Sequence, residues 1–188
     1  MALTFRKITT ADAELLLQWR TDAEISKNMF TDLHEPTVAK QQAWIESLST
    51  RKDYQAFMIC DGTNPVGFLC FNDIDFVHHR CSTGSYIYPR DARLKYGATL
   101  HTYICNYVFH CLGLNKIVNY VMNANDKVLK IQLLHKTRLV GCLKQHIFKN
   151  GTWHDVHIFE QLKQDWAQQK QHYPLAHIKA AFEGWNES

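Results

Sequence analysis

Residues 93–99, Arg-Leu-Lys-Tyr-Gly-Ala-Thr, are the stretch of this chain best suited to chemistry. They follow a strand-like run, Gly84 to Pro89, and open an apolar-periodic run, Leu100 to Gly113. A basic, glycine-containing segment at a helix mouth is an anion site. The first turn carries unpaired N–H groups and a partial positive charge, and glycine lets a phosphate come close. Such a site suits a pyrophosphate, with Arg93, Lys95, Tyr96, Gly97, Ala98 and Thr99 around it.

Other polar groups could serve proton transfer. Asp73, Asp75, His78 and His79 fall near the ends of two adjacent predicted strands and are candidates for a general base, Asp73 also for contact with a substrate. Read without function, they are solvated strand-end carboxylates and a turn. His146, His154 and His157 invite a zinc site, but His154 and His157 have opposite strand parity, so no metal is expected.

These groups need positioning elements. The chain has 188 residues, 46% hydrophobic and 21% charged, and reads as one globular domain. Its net charge of +3 comes from scattered basic residues, which argues against nucleic acid. There is no signal-peptide-like start and no apolar run of membrane-spanning length, so a cytoplasmic protein with reduced cysteines and no membrane partner is expected.

The patterning predicts a strand at residues 2–8 and helices beginning near Ala11 and Val38, the second capped by Thr37. Strands follow at 54–60, 66–76 and 81–88, then the helix to Leu112, capped by Gly113. A strand at 116–122, a helix at 125–134 and a hairpin of 140–148 with 152–159 around Asn150-Gly151 come next. Residues 160–188 read as one or two helices split at Pro174, with Trp166, Tyr173, Phe182 and Trp185 packing on the body. The architecture is α/β with a mixed sheet, since hairpins supply antiparallel strands and one βαβ crossover a parallel pair.

The order of elements and the segment Arg93 to Ala98 resemble the GNAT acyl-CoA N-acetyltransferases, whose pyrophosphate loop has the pattern (Q/R)xxGx(G/A). Tyr96 stands where that pattern has its first glycine. Asn125, in NANDKVLKI, matches the asparagine opening the family's next helix. The resemblance covers about Leu3 to Phe159. It implies a mixed sheet of about seven strands with helices on both faces, 160–188 being a helical C-terminal extension of the single domain 1–188. It also implies acetyl-CoA as acyl donor, attack of an amine on its thioester, and oxyanion support from backbone N–H groups at Tyr86, Ile87 and Tyr88.

LLLQWR, AWIESL, VGFLCFNDID with HHRCSTGSYIYP, and LKQHIFKNGTWHDV resemble the branch acting on 4-amino-sugar nucleotides in pseudaminic acid biosynthesis. The implied acceptor is a UDP-4-amino-4,6-dideoxy-N-acetyl-altrosamine-like sugar. Trp19 and Arg20 match a pair that borders the substrate pocket in that branch, so the resemblance implies a substrate site at Trp19, Arg20, Met29 and His34, with Arg20 meeting an anionic group and Trp19 or Met29 packing on an apolar or base face; the alternative is a buried tryptophan with a snorkelling arginine. The alternatives are the N-terminal amine of a ribosomal protein or other peptide, and a CoA-binding protein with lost catalysis. A homodimer is compatible with any of these. One departure bears on mechanism. Where the family has the tyrosine that protonates the leaving thiolate, this chain has Gln132; His135, Lys136 and Thr137 replace the following Leu-Gly-Phe. Gln132 as a hydrogen-bond donor, His135, Tyr88, Tyr86 or water would then serve the thiolate.

Overall fold

In the computed structural model the described residues are 2–169 and 173–185; the parts of the C-terminal extension at 170–172 and 186–188 lie outside them. Seven strands form one sheet in the order β1-β2-β3-β4-β5-β7-β6. They are β1 (Leu3–Lys7), β2 (Gln55–Asp61), β3 (Asn64–Asp75), β4 (Arg80–Ile87), β5 (Lys116–Met122), β6 (Arg138–Lys149) and β7 (Thr152–Leu162). Every neighbouring pair is antiparallel except β4 with β5.

Alternation along β2 sends Phe57 and Ile59 to one face and Met58 and Cys60 to the other, and each face builds its own core. Against Met58 and Cys60 pack Leu16 and Trp19 of α1 (Ala13–Thr21) and Ile45 of α3 (Val38–Ser47), which Thr37 caps through the Lys40 N–H at 3.2 Å. A one-turn helix, α2 (Ala23–Ser26), follows α1; the sequence reading had only a polar segment there. On the opposite face lies α5 (Leu100–Asn106), continued by a π-helical turn, Tyr107–Cys111. Tyr103, Tyr107 and Phe109 are buried there as core residues. Gly113, at φ 65°, ends the helix as expected.

Asn125 caps α6 (Asp126–Leu134), its side-chain oxygen accepting from the Val128 N–H at 3.4 Å. The β6–β7 hairpin turns at Asn150 and Gly151, both at positive φ, as the Asn-Gly pair predicts. The C-terminal extension forms α7 (Lys163–Ala167) and α8 (Leu175–Ala181), and Trp166, Ile178 and Phe182 enter the α5-side core. Phe182 stacks on Phe5 at 4.1 Å, and the Glu183 N–H donates to the Phe5 carbonyl at 2.8 Å, so the extension covers the open edge of β1. Among the described residues no helix is long and apolar enough to cross a membrane.

One expectation is overturned. Residues 90–96 are not a basic loop but a helix, α4 (Arg90–Tyr96), and only 97–99 form a turn. Arg, Ala, Leu and Lys are good helix formers, Pro89 stands just before the first turn, and no glycine interrupts the run. Ala92 and Tyr96 share the buried face that seats the helix.

Candidate active site

The site is built where the sheet comes apart. β4 and β5 pair only at Arg80 with Lys116 and Cys81 with Ile117; beyond that their ladder stops. Asn119 bridges the opening, its side-chain oxygen accepting from the Thr83 N–H at 2.9 Å and the Thr83 hydroxyl at 3.1 Å. On its other side β4 is held by β3, and the Tyr88 N–H donates to the Val66 carbonyl at 2.8 Å. Bonding direction alternates along an antiparallel strand, so Tyr86 N–H also turns to β3, paired with Phe68. Of the three residues expected to supply oxyanion donors, only Ile87 therefore has its N–H aimed into the gap; Tyr86 and Tyr88 spend theirs on β3.

Gly67 makes this geometry possible. A Cβ there would stand 2.3 Å from the Tyr86 carbonyl oxygen and 3.0 Å from the Ile87 Cα. Only glycine lets β3 approach β4 this closely at the residues that face the gap.

Gln132, on α6, is 5% exposed, and its side-chain oxygen has no hydrogen-bond partner. Its side chain therefore faces inward. His135 is placed differently from a free acid. Its Nε2 donates to the Ala98 carbonyl at 2.8 Å, and its ring stacks on His101 at 4.2 Å. Because the acceptor is a carbonyl, Nε2 carries the proton, and this bond ties the end of α6 to the turn before α5.

The basic residues of the expected pyrophosphate loop are redistributed. Arg93 and Lys95 lie on α4, and Lys95 reaches Asp61 at 3.0 Å while lying 4.6 Å from the centre of the Tyr96 ring. Gly97 keeps an ordinary helical φ of −56°; its need is for space, since a Cβ would stand 2.6 Å from the Arg93 carbonyl oxygen. Ala98 and Thr99 border a cavity of about 590 Å³, which Lys136 also lines.

On the other face, Trp19 is buried, stacked on Tyr88 at 5.6 Å and edge-on to Tyr86 at 6.3 Å. Phe68 stacks on Tyr86 at 5.6 Å. Arg20 lies beside them. Its Nη2 donates to the Thr31 carbonyl at 2.6 Å, whereas Nη1 is buried with no partner. Burial pushes the guanidinium below its usual pKa, against the pull of Tyr86 and Asp32. Met29 is half-buried and His34 exposed on the adjoining segment.

Asp73 and Asp75 are not brought to this site. They lie at the β3–β4 turn, separated from Ile87 by the length of β4, about 23 Å at roughly 3.3 Å per residue. Asp75 accepts from the Val77 and His78 N–H groups and from the His78 ring. Those bonds hold its carboxyl down to about 2 and make it a turn residue. A different carboxylate stands near the gap. Asp22 caps α2 by accepting from the Glu24 N–H at 2.7 Å, and its other oxygen accepts from the Tyr88 hydroxyl at 3.1 Å. That bond raises the Tyr88 pKa and keeps the phenol protonated. Asp22, Glu24, Arg90 and Arg93 line a second cavity of about 260 Å³. The sequence reading passed over Asp22 and Asn119, though an asparagine inside the strand run KIVNYVM is itself unusual.

A mixed sheet opened between two parallel strands, with a backbone donor in the opening and a helix on each side of it, is the architecture of an acyl-CoA-dependent transferase. The acetyltransferase (GNAT) domain family matches residues 2–133, and the chain belongs to that family. It is a GNAT-type N-acetyltransferase, and the acyl donor is acetyl-CoA. Among curated proteins it is 25% identical over 169 residues to the uncharacterized N-acetyltransferase p20 of Bacillus licheniformis, covering 88% of this chain and 95% of that one. It is 23% identical over 167 residues to the uncharacterized N-acetyltransferase YoaA of Bacillus subtilis (strain 168), covering 86% and 93%. Among solved structures it is similar to the spermidine N-acetyltransferase of Vibrio cholerae in complex with CoA and spermine, with a TM-score of 0.82 at 20% identity, covering 88% of this chain and 98% of that one.

Proposed function

We propose that the acceptor is the 4-amino group of a nucleotide-linked amino-deoxy sugar of the UDP-4-amino-4,6-dideoxy-N-acetyl-altrosamine type, the substrate of the pseudaminic acid branch. The observation that carries this reading is Arg20. One guanidinium nitrogen is buried and unpartnered beside Trp19 and Tyr86, and the nearby Asp32 carboxylate is bonded to Lys149 instead. A diphosphate supplies the anion, and a sugar or base ring supplies the stacking partner.

Acetyl-CoA brings the thioester to the gap, and this chain's residues fit it. The Ile87 N–H supports the charge that develops on the carbonyl oxygen. Gln132 offers a hydrogen bond to the sulfur, which leaves tolerably as thiolate because an ordinary thiol pKa is about 8.5. Asp22, through the Tyr88 hydroxyl, receives the proton that the acceptor amine gives up. Holding amine and thioester together contributes the largest share, about 7–11 kcal/mol where alignment is good.

A second reading rests on Asp22 and Glu24. These two carboxylates line one side of a cavity that Arg90 and Arg93 also border and could pair with the ammonium groups of a polyamine, and the Vibrio cholerae neighbour is named for spermidine. CoA release from acetyl-CoA is measured with amino-sugar nucleotides, spermidine, spermine and N-terminal peptides. Turnover with the sugar nucleotide, and a raised KM for it in Arg20→Met, is expected. Release with the polyamines alone, lost in Asp22→Asn, rejects the sugar in favour of the polyamine; silence with all acceptors leaves a CoA-binding protein.

A further inference from the structure

The segment between α2 and α3, residues 27–37, passes beside Arg20 without forming helix or strand. Among the described residues, its central part, 30–36, makes no backbone–backbone hydrogen bond, so side chains hold it in place. Lys40 donates to the Glu35 carbonyl at 3.0 Å, and Arg20 Nη2 donates to the Thr31 carbonyl at 2.6 Å. The third contact comes from the far end of β6. Lys149, 117 residues further along the chain, pairs with the carboxylate of Asp32. Arg20 and Lys149 thus end on adjacent residues, whose Cα atoms are about 3.8 Å apart.

The Lys149–Asp32 pair is lopsided. The lysine side chain is 3% exposed, whereas that of Asp32 is 55% exposed. A buried ammonium needs a counter-charge, while a half-exposed carboxylate is stable in water without one. Arg20 is poorly matched as well: Nη2 has a neutral carbonyl and Nη1 is buried with no partner. Two permanent cations therefore share a single carboxylate. Lys149, then Arg20 and His34, hold that carboxyl below the usual carboxylate range, so it stays ionised. A diphosphate carries the additional negative charge. A guanidinium takes phosphate oxygens through parallel N–H donors, and an ammonium offers three more. The exchange moves into water only a side chain that already meets it, on a segment that no backbone ladder restrains.

We propose that Arg20 and Lys149 form one anion site for the diphosphate of the acceptor, which Asp32 fills at rest and vacates when the acceptor binds. The proposal rests on the reading of the acceptor as a nucleotide-linked sugar, and it brings the β6–β7 hairpin into that site. Asp32 then acts as a specificity element. A polycationic amine cannot take its place between two cations, whereas a nucleoside diphosphate can.

Isothermal titration with UDP tests this on the full chain, comparing wild type with Asp32→Asn, Lys149→Met and Asp155→Asn. Asp32→Asn keeps an oxygen for the buried ammonium, and thermal melts verify that each variant folds. Without the competing charge, Asp32→Asn should bind UDP about tenfold more tightly, and Lys149→Met, lacking one charged donor, about tenfold more weakly. Asp155 pairs with Lys144 at 2.8 Å on the same hairpin, so Asp155→Asn changes the net charge equally and should leave UDP affinity within twofold of wild type. A merely structural Lys149–Asp32 bridge predicts the opposite sign, with UDP bound no tighter by Asp32→Asn; that result overturns the proposal. Equal gains in Asp32→Asn and Asp155→Asn, or unchanged affinity in Lys149→Met, overturn it too. In each of these cases, UDP binding by wild type that is lost in Arg20→Met leaves the acceptor reading standing. Absence of UDP binding to wild type and Asp32→Asn alike overturns both.

Discussion

The side-chain oxygen of Asn119 on β5 accepts two hydrogen bonds from Thr83 on β4, one from its backbone N–H and one from its hydroxyl. The backbone ladder between these parallel strands ends at Cys81 and Ile117, so a side chain carries the next contact and sets where the strands separate. Asn119→Ala leaves the Thr83 N–H without its partner and should cost about 1–3 kcal/mol of stability, with a loss of CoA affinity. Asn119→Asp keeps an acceptor in place and should recover most of both. If the two variants behave alike in denaturant titration and CoA binding, the side-chain bridge does not set the gap.

Gly67→Ala places a methyl group 2.3 Å from the Tyr86 carbonyl oxygen, and the contact is with backbone, which cannot swing aside. β3 and β4 must separate, at a cost of about 1–3 kcal/mol typical of overpacking. The Ile87 N–H moves with β4, so kcat should fall more than folding stability alone explains. A Gly67→Ala protein that melts lower yet retains full kcat would show that the Ile87 region does not support the reaction.

Gln132 carries a buried oxygen with no partner, a state that costs about 1–3 kcal/mol in the resting protein. Gln132→Met removes that atom with little change of volume. It should raise the melting temperature while lowering turnover by about tenfold, the worth of one hydrogen bond to a developing charge. Opposite movements of stability and activity mark a residue held for function. Unchanged turnover would remove Gln132 from the reaction.

His101 lies buried between Cys105, His135 and Trp166. Burial, and then the neighbouring His135, push its pKa down to about 3. In the unfolded chain a histidine takes a proton near 6.5, whereas the folded protein refuses it down to about 3. Its neutral burial is therefore without cost above about pH 6.5, and stability falls as pH drops from there toward 3, by up to about 1.4 kcal/mol per pH unit. Thermal melts between pH 7 and pH 4 should show this slope, and His101→Phe should flatten it. An identical slope in the variant assigns the acid sensitivity to other groups.

What the chain's own pattern determined is the set of elements and their order. The apolar run of β2, the Thr37 and Asn125 caps, the Asn150-Gly151 turn and the Gly113 stop are local signals, each settled by a few neighbouring residues, and they stand in the structure as expected. For Gln132 the pattern left two readings, a residue at the family's tyrosine position and a solvent-facing helix residue, and packing decided that it is buried. Tertiary structure alone decided which polar groups meet. Asp75 and Tyr88 are both strand-end residues of one hairpin, but at opposite ends of β4, whereas Asp22, distant in sequence, lies at the Tyr88 hydroxyl. The same holds for the helix at 90–96, where burial of Ala92 and Tyr96 and unbroken helix formers outweighed a lone glycine. Sequence spacing reports which residues share a face of one element; which faces of different elements come together depends on how the strands separate and the helices pack, and no local pattern encodes that.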